Sequence, residues 1–186
     1  GDTDVFQASA HAALQLAGEQ ARADGDMDSA RENAKQIIEA EYFQPFLAHS
    51  TMEPMNATIA LHDDHALLIA GLQSPDSASI LINKLTGINR LNIDIRLPRS
   101  GGGFGRRSEI DFVAEAVHVA KAVKKPVKLI WSREDDLRND WYRPAGAHGM
   151  TATLNESNEL TGWTHKVAAT DRRFRIPWLD RFPSWF

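Results

Sequence analysis

The chain has 186 residues, 42% hydrophobic and 25% charged, with a formal net charge of −4. That is the profile of an ordinary globular protein, long enough for one well-buried domain or two small ones. The acidic balance argues against a nucleic-acid surface as its main role. The lack of cysteine excludes disulfides, thiolate zinc sites and any iron–sulfur cluster ligated from within the chain.

Residues 5–23 are rich in alanine, with Phe6, Ala10, Ala13, Leu14, Ala17 and Ala21 at three- and four-residue spacing, which predicts a helix broken by Asp24-Gly25-Asp26. A second helix is expected from Met27 to about Ile37, after which alternation at Ile38, Ala40 and Tyr42 turns to strand. Residues 1–40 thus read as a helical lead-in and 41–186 as the α+β body, with no complete second domain. The runs Asn56–Leu61 and Ala66–Gly71 flank His62-Asp63-Asp64-His65 and predict a hairpin. The two histidines read either as a solvated tip or as part of a metal site that lacks a third ligand nearby. Ser74-Pro75 is an N-cap and N1 arrangement, so a helix is expected from Pro75 to about Leu85, closed by Gly87.

Leu91–Leu97 alternates strictly and predicts a strand that leads into Ser100-Gly101-Gly102-Gly103-Phe104-Gly105-Arg106-Arg107-Ser108. Four glycines in five positions free the backbone for positive φ and for close approach of a ligand to its N–H groups. Two arginines supply forks suited to phosphate. Ser108-Glu109-Ile110-Asp111 has capping-box spacing ahead of an amphipathic run. Loop amides, guanidinium groups and a helix start together read as an anion cradle. It is neither familiar nucleotide loop. The third glycine of the dinucleotide fingerprint falls on Arg106 or Ser108, and no lysine follows Gly105 as a Walker loop needs. A plain glycine turn is the alternative.

Phe112, Val113, Ala116, Val117, Ala120 and Val123 predict the next helix, stopped before Pro126. Val127–Trp131 reads as a buried strand, Arg133–Asp136 as a solvated helical turn, and Gly149–Leu154 with Leu160–Ala168 as a second hairpin. Helices interleave with hairpins, so the expected fold class is α+β, with mixed or antiparallel sheet layers and packed helices rather than a doubly wound sheet. No run approaches the ~20 apolar residues of a membrane span. The acidic Gly1-Asp2-Thr3-Asp4 lacks the basic region of a signal peptide, so periplasmic and cytoplasmic placements both stay open. Arginines gather at 172–175, and the aromatic segment 176–186 is expected to pack on something outside the chain, which therefore reads as a piece of a larger protein.

Five segments in order resemble the large, molybdopterin-binding subunit of the xanthine dehydrogenase and aldehyde oxidase family, of the isoquinoline 1-oxidoreductase β-subunit type. They are Phe46–Asn56 (Phe-Leu-Ala-His-Ser-Thr-Met-Glu-Pro-Met-Asn), Gln73-Ser74-Pro75, the loop Gly101–Arg107, Pro126–Asp136 and Tyr142-Arg143-Pro144. The resemblance implies part of a molybdopterin-binding domain that holds a molybdenum cofactor, including its cytosine dinucleotide form. It also implies an iron–sulfur electron-transfer subunit as partner, with the clusters on that chain. The reaction implied is hydroxylation of an N-heterocycle or aldehyde with water as oxygen source.

By the same resemblance Gln73 would bond an oxo ligand of molybdenum, and Gly102, Gly103, Phe104 and Gly105 would line the metal and pterin. Arg106 would contact phosphate or pterin. His49 and Glu53 match a His-x-x-x-Glu pattern that would support the site. Read from the residues alone, Gln73 is an ordinary strand-end glutamine, Arg106 a surface arginine, and His49 with Glu53 polar structure beside a strand. The family's active-site glutamate after the glycine loop is replaced by Ser108, with Glu109 one residue late, which fits a purine substrate poorly. The catalytic base is expected beyond Phe186, and no residue is expected to ligate metal directly. The alternative functions are a non-catalytic module that binds a pterin or nucleotide phosphate through Gly101–Arg107, and an interaction domain that uses the aromatic C-terminal segment.

Overall fold

The computed structural model describes residues 2–170, and the expectations for 172–186 lie outside them. The chain divides into two compact units. One is built from the chain up to Leu47 together with the chain from Arg143 onward, and the other is Ala48–Tyr142.

The first unit contains α1 (Thr3–Leu14), α2 (Met27–Glu32) and β1 (Gln36–Gln44), joined by β6 (Gly146–Leu154) and β7 (Leu160–Ala169). The strands form an antiparallel sheet in the order β1-β6-β7. Ala10 and Leu14 of α1 bury against Ala147, flanked by Phe6, Phe43 and Ala168. The first helix stops at Leu14 rather than near residue 23, because after Leu14 the segment is exposed and no apolar partner repays further ordering. The second ends at Glu32, and the strand already begins at Gln36. Ile37 and Ile38 lie on opposite faces of that strand, paired in register with Thr153 and Ala152 of β6.

The second unit is an α/β layer pair. Its sheet runs β4-β3-β2-β5, with β2 (Asn56–Leu61), β3 (Ala66–Ile69), β4 (Ile93–Arg96) and β5 (Val127–Ile130). The β3–β4 pair is parallel and the others antiparallel, so the sheet is mixed. Ala57, Ile59, Ala66 and Leu68 are fully or almost fully buried on one face. Beneath α3 (Pro75–Thr86) and α4 (Asp111–Val123) lie Ile82, Phe112, Val113 and Val117, each with no exposed surface. Each such side chain contributes roughly 1.5–3 kcal/mol of burial. The α+β expectation therefore holds.

Local chemistry accounts for most boundaries and corrects three expectations. Pro75 occupies the first turn of α3 and Gly87 closes it in the left-handed conformation (φ +80°), but the Ser74 hydroxyl pairs with Ser77 at 2.7 Å instead of capping. The alternating run from Leu91 spends its first two residues in a short 3₁₀ turn, leaving only Ile93–Arg96 as strand. The strand Val127–Ile130 lies at the sheet edge and alternates between half-buried and exposed, so it is not a buried strand.

Candidate functional site

The glycine loop does not run into a capped helix. Gly105 takes φ +103°, and Arg106–Ser108 form a 3₁₀ turn. The following helix starts at Asp111 after Ile110, with no side-chain cap. The expected capping box is absent because Asp111 is held elsewhere. Its carboxylate accepts two hydrogen bonds from the Arg106 guanidinium, at 2.9 and 2.8 Å, and one from the Trp141 indole N–H at 3.1 Å. Arg106 is 1% exposed and stacks over Trp131 at 5.3 Å. Its Nε lies 3.0 Å from an Asp140 oxygen, an ion-pair contact rather than a hydrogen bond because the N–H is not aimed at that oxygen. Arg107 has no exposed surface. It donates to the carbonyls of Gly102 (2.7 Å), Gly71 (3.3 Å) and Glu53 (2.9 Å), and its Nη2 sits 3.2 Å from the Glu53 carboxylate.

The arginines therefore do not present forks to a phosphate, and Arg106 as a phosphate or pterin contact is corrected. Every donor face of that guanidinium is turned inward, where unpaired charge would be costly. The pair acts instead as two internal clamps on the loop.

What the loop does present is backbone. The N–H groups of Gly102 and Gly103 donate to no protein group among the described residues. The Gly105 N–H donates to Gln73 Oε1 at 3.0 Å, while the Gln73 backbone N–H donates to the Arg107 carbonyl at 2.9 Å. Gln73 thus has its carbonyl oxygen pinned, which leaves the two donors of its amide nitrogen directed away from the loop bond. The missing side chain of Gly103 lets the Gln73 carboxamide lie against the loop. A Cβ on it would lie 2.6 Å from Gln73 Oε1. Phe104 sits exposed at the tip with φ +54°, a left-handed geometry uncommon for a bulky side chain. A side-chain-free wall with two unpaired amides and a fixed carboxamide is a donor set for an oxygen-rich acceptor, and it fits the oxo and pterin groups of a molybdenum cofactor.

His49 and Glu53 frame the same loop. Glu53 Oε2 accepts from the Gly101 N–H at 2.6 Å and Oε1 from the Asn56 amide at 2.7 Å. Burial pushes its carboxyl up, but the Gly101 N–H, Asn56 and Arg107 together hold it below the ordinary value. A group with a depressed folded-state pKa stabilises the fold above its unfolded value and loses that contribution as pH falls through the folded one. Wild-type chain is therefore expected to exceed Glu53→Gln in chemical-denaturation stability at pH 7. The gap should narrow as pH drops below about 4.3.

The His49 ring Nδ1 lies 3.0 and 3.1 Å from the two oxygens of Asp140, which also accepts the His49 backbone N–H. A carboxylate only accepts, so the proton sits on Nδ1 and Nε2 faces Gly105.

Asp140, 2% exposed in its side chain, carries no motif in the sequence and is the hub that joins His49 to Arg106. Asp136 is likewise 3% exposed, not a solvated turn residue. It takes Arg133 at 2.7 Å, and Arg133 donates onward to the carbonyls of Thr51 and Met52. The predicted turn does form as α5 (Arg133–Arg138), with a capping box between Ser132 and Asp135. At the β2–β3 tip His62 and His65 stack at 4.1 Å with rings 7° apart.

The family model for the molybdopterin cofactor-binding domain matches residues 10–171. The chain belongs to this family. Isoquinoline 1-oxidoreductase subunit beta of Brevundimonas diminuta is 38% identical over 138 residues, covering 73% of this chain and 17% of that protein. The aldehyde oxidoreductase molybdenum-binding subunit of Escherichia coli K12 is 32% identical over 147 residues, covering 76% and 20%. The crystal structure of quinoline 2-oxidoreductase from Pseudomonas putida 86 shares the fold, with a TM-score of 0.66 at 14% identity over 76% of this chain and 18% of that one. The chain spans about a fifth or less of the length of these two curated relatives. This membership in the xanthine dehydrogenase and aldehyde oxidase group agrees with the order of the five sequence segments. Among the described residues no helix is long and apolar enough to cross a membrane.

Proposed function

We propose that this chain forms the cofactor-facing wall of a molybdenum hydroxylase that oxidises an N-heterocycle or aldehyde, with water as oxygen source. The observation that carries the reading is the Gln73 carboxamide, pinned by Gly105 beside the unpaired N–H groups of Gly102 and Gly103. When bound, the molybdenum cofactor supplies Lewis-acid activation of water and two-electron redox chemistry. The chain's own part is binding and orientation. Gln73 and the two glycine amides donate to cofactor oxygens, and Phe104 shields that wall. Arg107 fixes the loop's shape from behind, while His49 and Glu53 support its two ends.

No residue of this chain is assigned as the base, so the 186 residues alone would not turn over. The general base would come from another segment of the working enzyme. We place the electron-accepting iron–sulfur clusters on a partner chain; these 186 residues carry no cysteine that would ligate one. The cofactor is taken in its cytosine dinucleotide form, with its phosphates met by groups other than Arg106. The inward-turned arginines disfavour the reading as a simple phosphate-binding module.

The test is Gln73→Ala in the holoenzyme. Because Gln73 is exposed, stability should change by less than about 1 kcal/mol. Molybdenum content by metal analysis, or kcat on an N-heterocycle or aldehyde, is expected to fall at least tenfold. Full metal loading with unchanged kcat would reject the assignment.

A further inference from the structure

In the first unit, α1 and α2 cover one face of the β1-β6-β7 sheet, the face that carries Phe43, Ala147 and Ala168. Side chains alternate along a strand, so the opposite face carries Tyr42 of β1, His148 and Met150 of β6, and His165 of β7. His148 is paired in register with Val167, and Met150 with His165, which sets the two histidines on the diagonal between neighbouring strands. His148 Nδ1 lies 3.0 Å from His165 Nε2, with the rings 5.2 Å apart and inclined by 24°. Both rings line an open cavity of about 350 Å³ together with Tyr42, Phe43, Gln44 and Met150. None of these residues takes part in the glycine-loop cluster.

We infer that His148 and His165 form a chelating pair for a divalent transition-metal ion of tetragonal geometry, Cu(II) above all. Imidazole nitrogens bind such ions at about 2.0–2.1 Å. Two of them on adjacent corners of a square then stand about 2.9 Å apart, and on a tetrahedron about 3.3–3.4 Å. The observed 3.0 Å is a hydrogen-bond distance in the metal-free pair and needs little change to become the edge of the square, the geometry of Cu(II) and Ni(II) with nitrogen donors. Cu(II) leads the affinity order for a given site. The two rings are carried by strands held in a continuous ladder, so the two nitrogens are close together before the ion arrives. Binding moves the proton of the donating ring to that ring's other nitrogen, so both rings ligate as neutral imidazoles with no change of oxidation state. Among the described residues no third His, Asp or Glu joins the pair. Water fills the remaining equatorial positions, and the Met150 thioether lines the same cavity as a soft group suited to a long axial contact.

The probe is Cu(II) alone, titrated into the full chain carrying His62→Ala and His65→Ala, which removes the hairpin histidines from competition. Calorimetry and electron paramagnetic resonance are expected to show one ion per chain, with a tetragonal signal split by nitrogen. His148→Gln and His165→Gln are each expected to weaken binding at least about tenfold, and Zn(II) to bind at least about tenfold more weakly than Cu(II). Circular dichroism checks folding. His165 is exposed, so His165→Gln decides the matter if His148→Gln unfolds. A plain cross-strand hydrogen bond would show as no stoichiometric copper, or as a copper signal unchanged in the folded His165→Gln chain, and either result overturns the site.

Discussion

Arg107→Met is expected to destabilise the Ala48–Tyr142 unit by about 3–5 kcal/mol, the cost of breaking a buried charged network from one side. Arg107 has no exposed surface, and its guanidinium serves carbonyls from three separate stretches, at Glu53, Gly71 and Gly102. Methionine fills similar volume but donates nothing, so the Gly71 and Gly102 carbonyls lose this donor, while the Glu53 carbonyl keeps the Thr51 hydroxyl. Each buried acceptor left unsatisfied costs about 1–3 kcal/mol. The Glu53 pair adds less, since that carboxylate is about a third exposed. Burial itself lowers the Arg107 pKa, while Glu53 and Asp136 oppose that shift, so the cation is held by its partners. Urea unfolding followed by tryptophan fluorescence would measure the loss, with Trp131 and Trp141 reporting from within the unit. A change below about 1 kcal/mol would mean that the clamp is not structural.

Gly103→Ala is expected to have the opposite profile, with little loss of stability and a large loss of function. Gly103 does not adopt positive φ, so an alanine backbone fits without strain. Its methyl, however, would stand 2.6 Å from Gln73 Oε1 and 2.9 Å from Cδ. The Gln73 side chain is exposed and flexible, so it swings aside cheaply and gives up the hydrogen bond from Gly105. A displacement of about 1 Å in a positioning group can cost about a hundredfold in rate. In the holoenzyme, a hundredfold drop in kcat with a thermal midpoint within a few degrees of wild type is the expected pair of results. If kcat holds, Gln73 does not orient the cofactor. If the midpoint collapses, the loop is a structural turn and no more.

These two substitutions separate what was readable in the chain from what was not. The hairpin of β2 and β3, the proline start and glycine end of α3, and the apolar stripe of α4 were legible because each rests on short-range rules. Those rules are residue period, fixed proline φ and glycine's tolerance of positive φ. Gln73 and the glycine loop were legible as a pair only through the ordered resemblance of five segments, since a lone glutamine after a strand has no pattern of its own. Where short-range rules pointed wrongly, a long-range partner had taken the group. Asp111 sat three residues after a serine and read as a cap residue, yet Arg106 and Trp141 hold it.

By itself, then, the sequence determined the element types, the α+β class and the placement of a flexible glycine-rich loop between β4 and α4, because local periodicity and backbone preference act within a few residues. Only the tertiary structure decided what the loop's charged neighbours do. Arg106 and Arg107 find Asp111, Asp140, Glu53 and Gly71 at separations of 5 to 54 residues in the chain, and desolvation makes those pairings obligatory once the guanidinium groups are buried. The same burial moved the anion-facing role from the side chains to the bare backbone of Gly102 and Gly103.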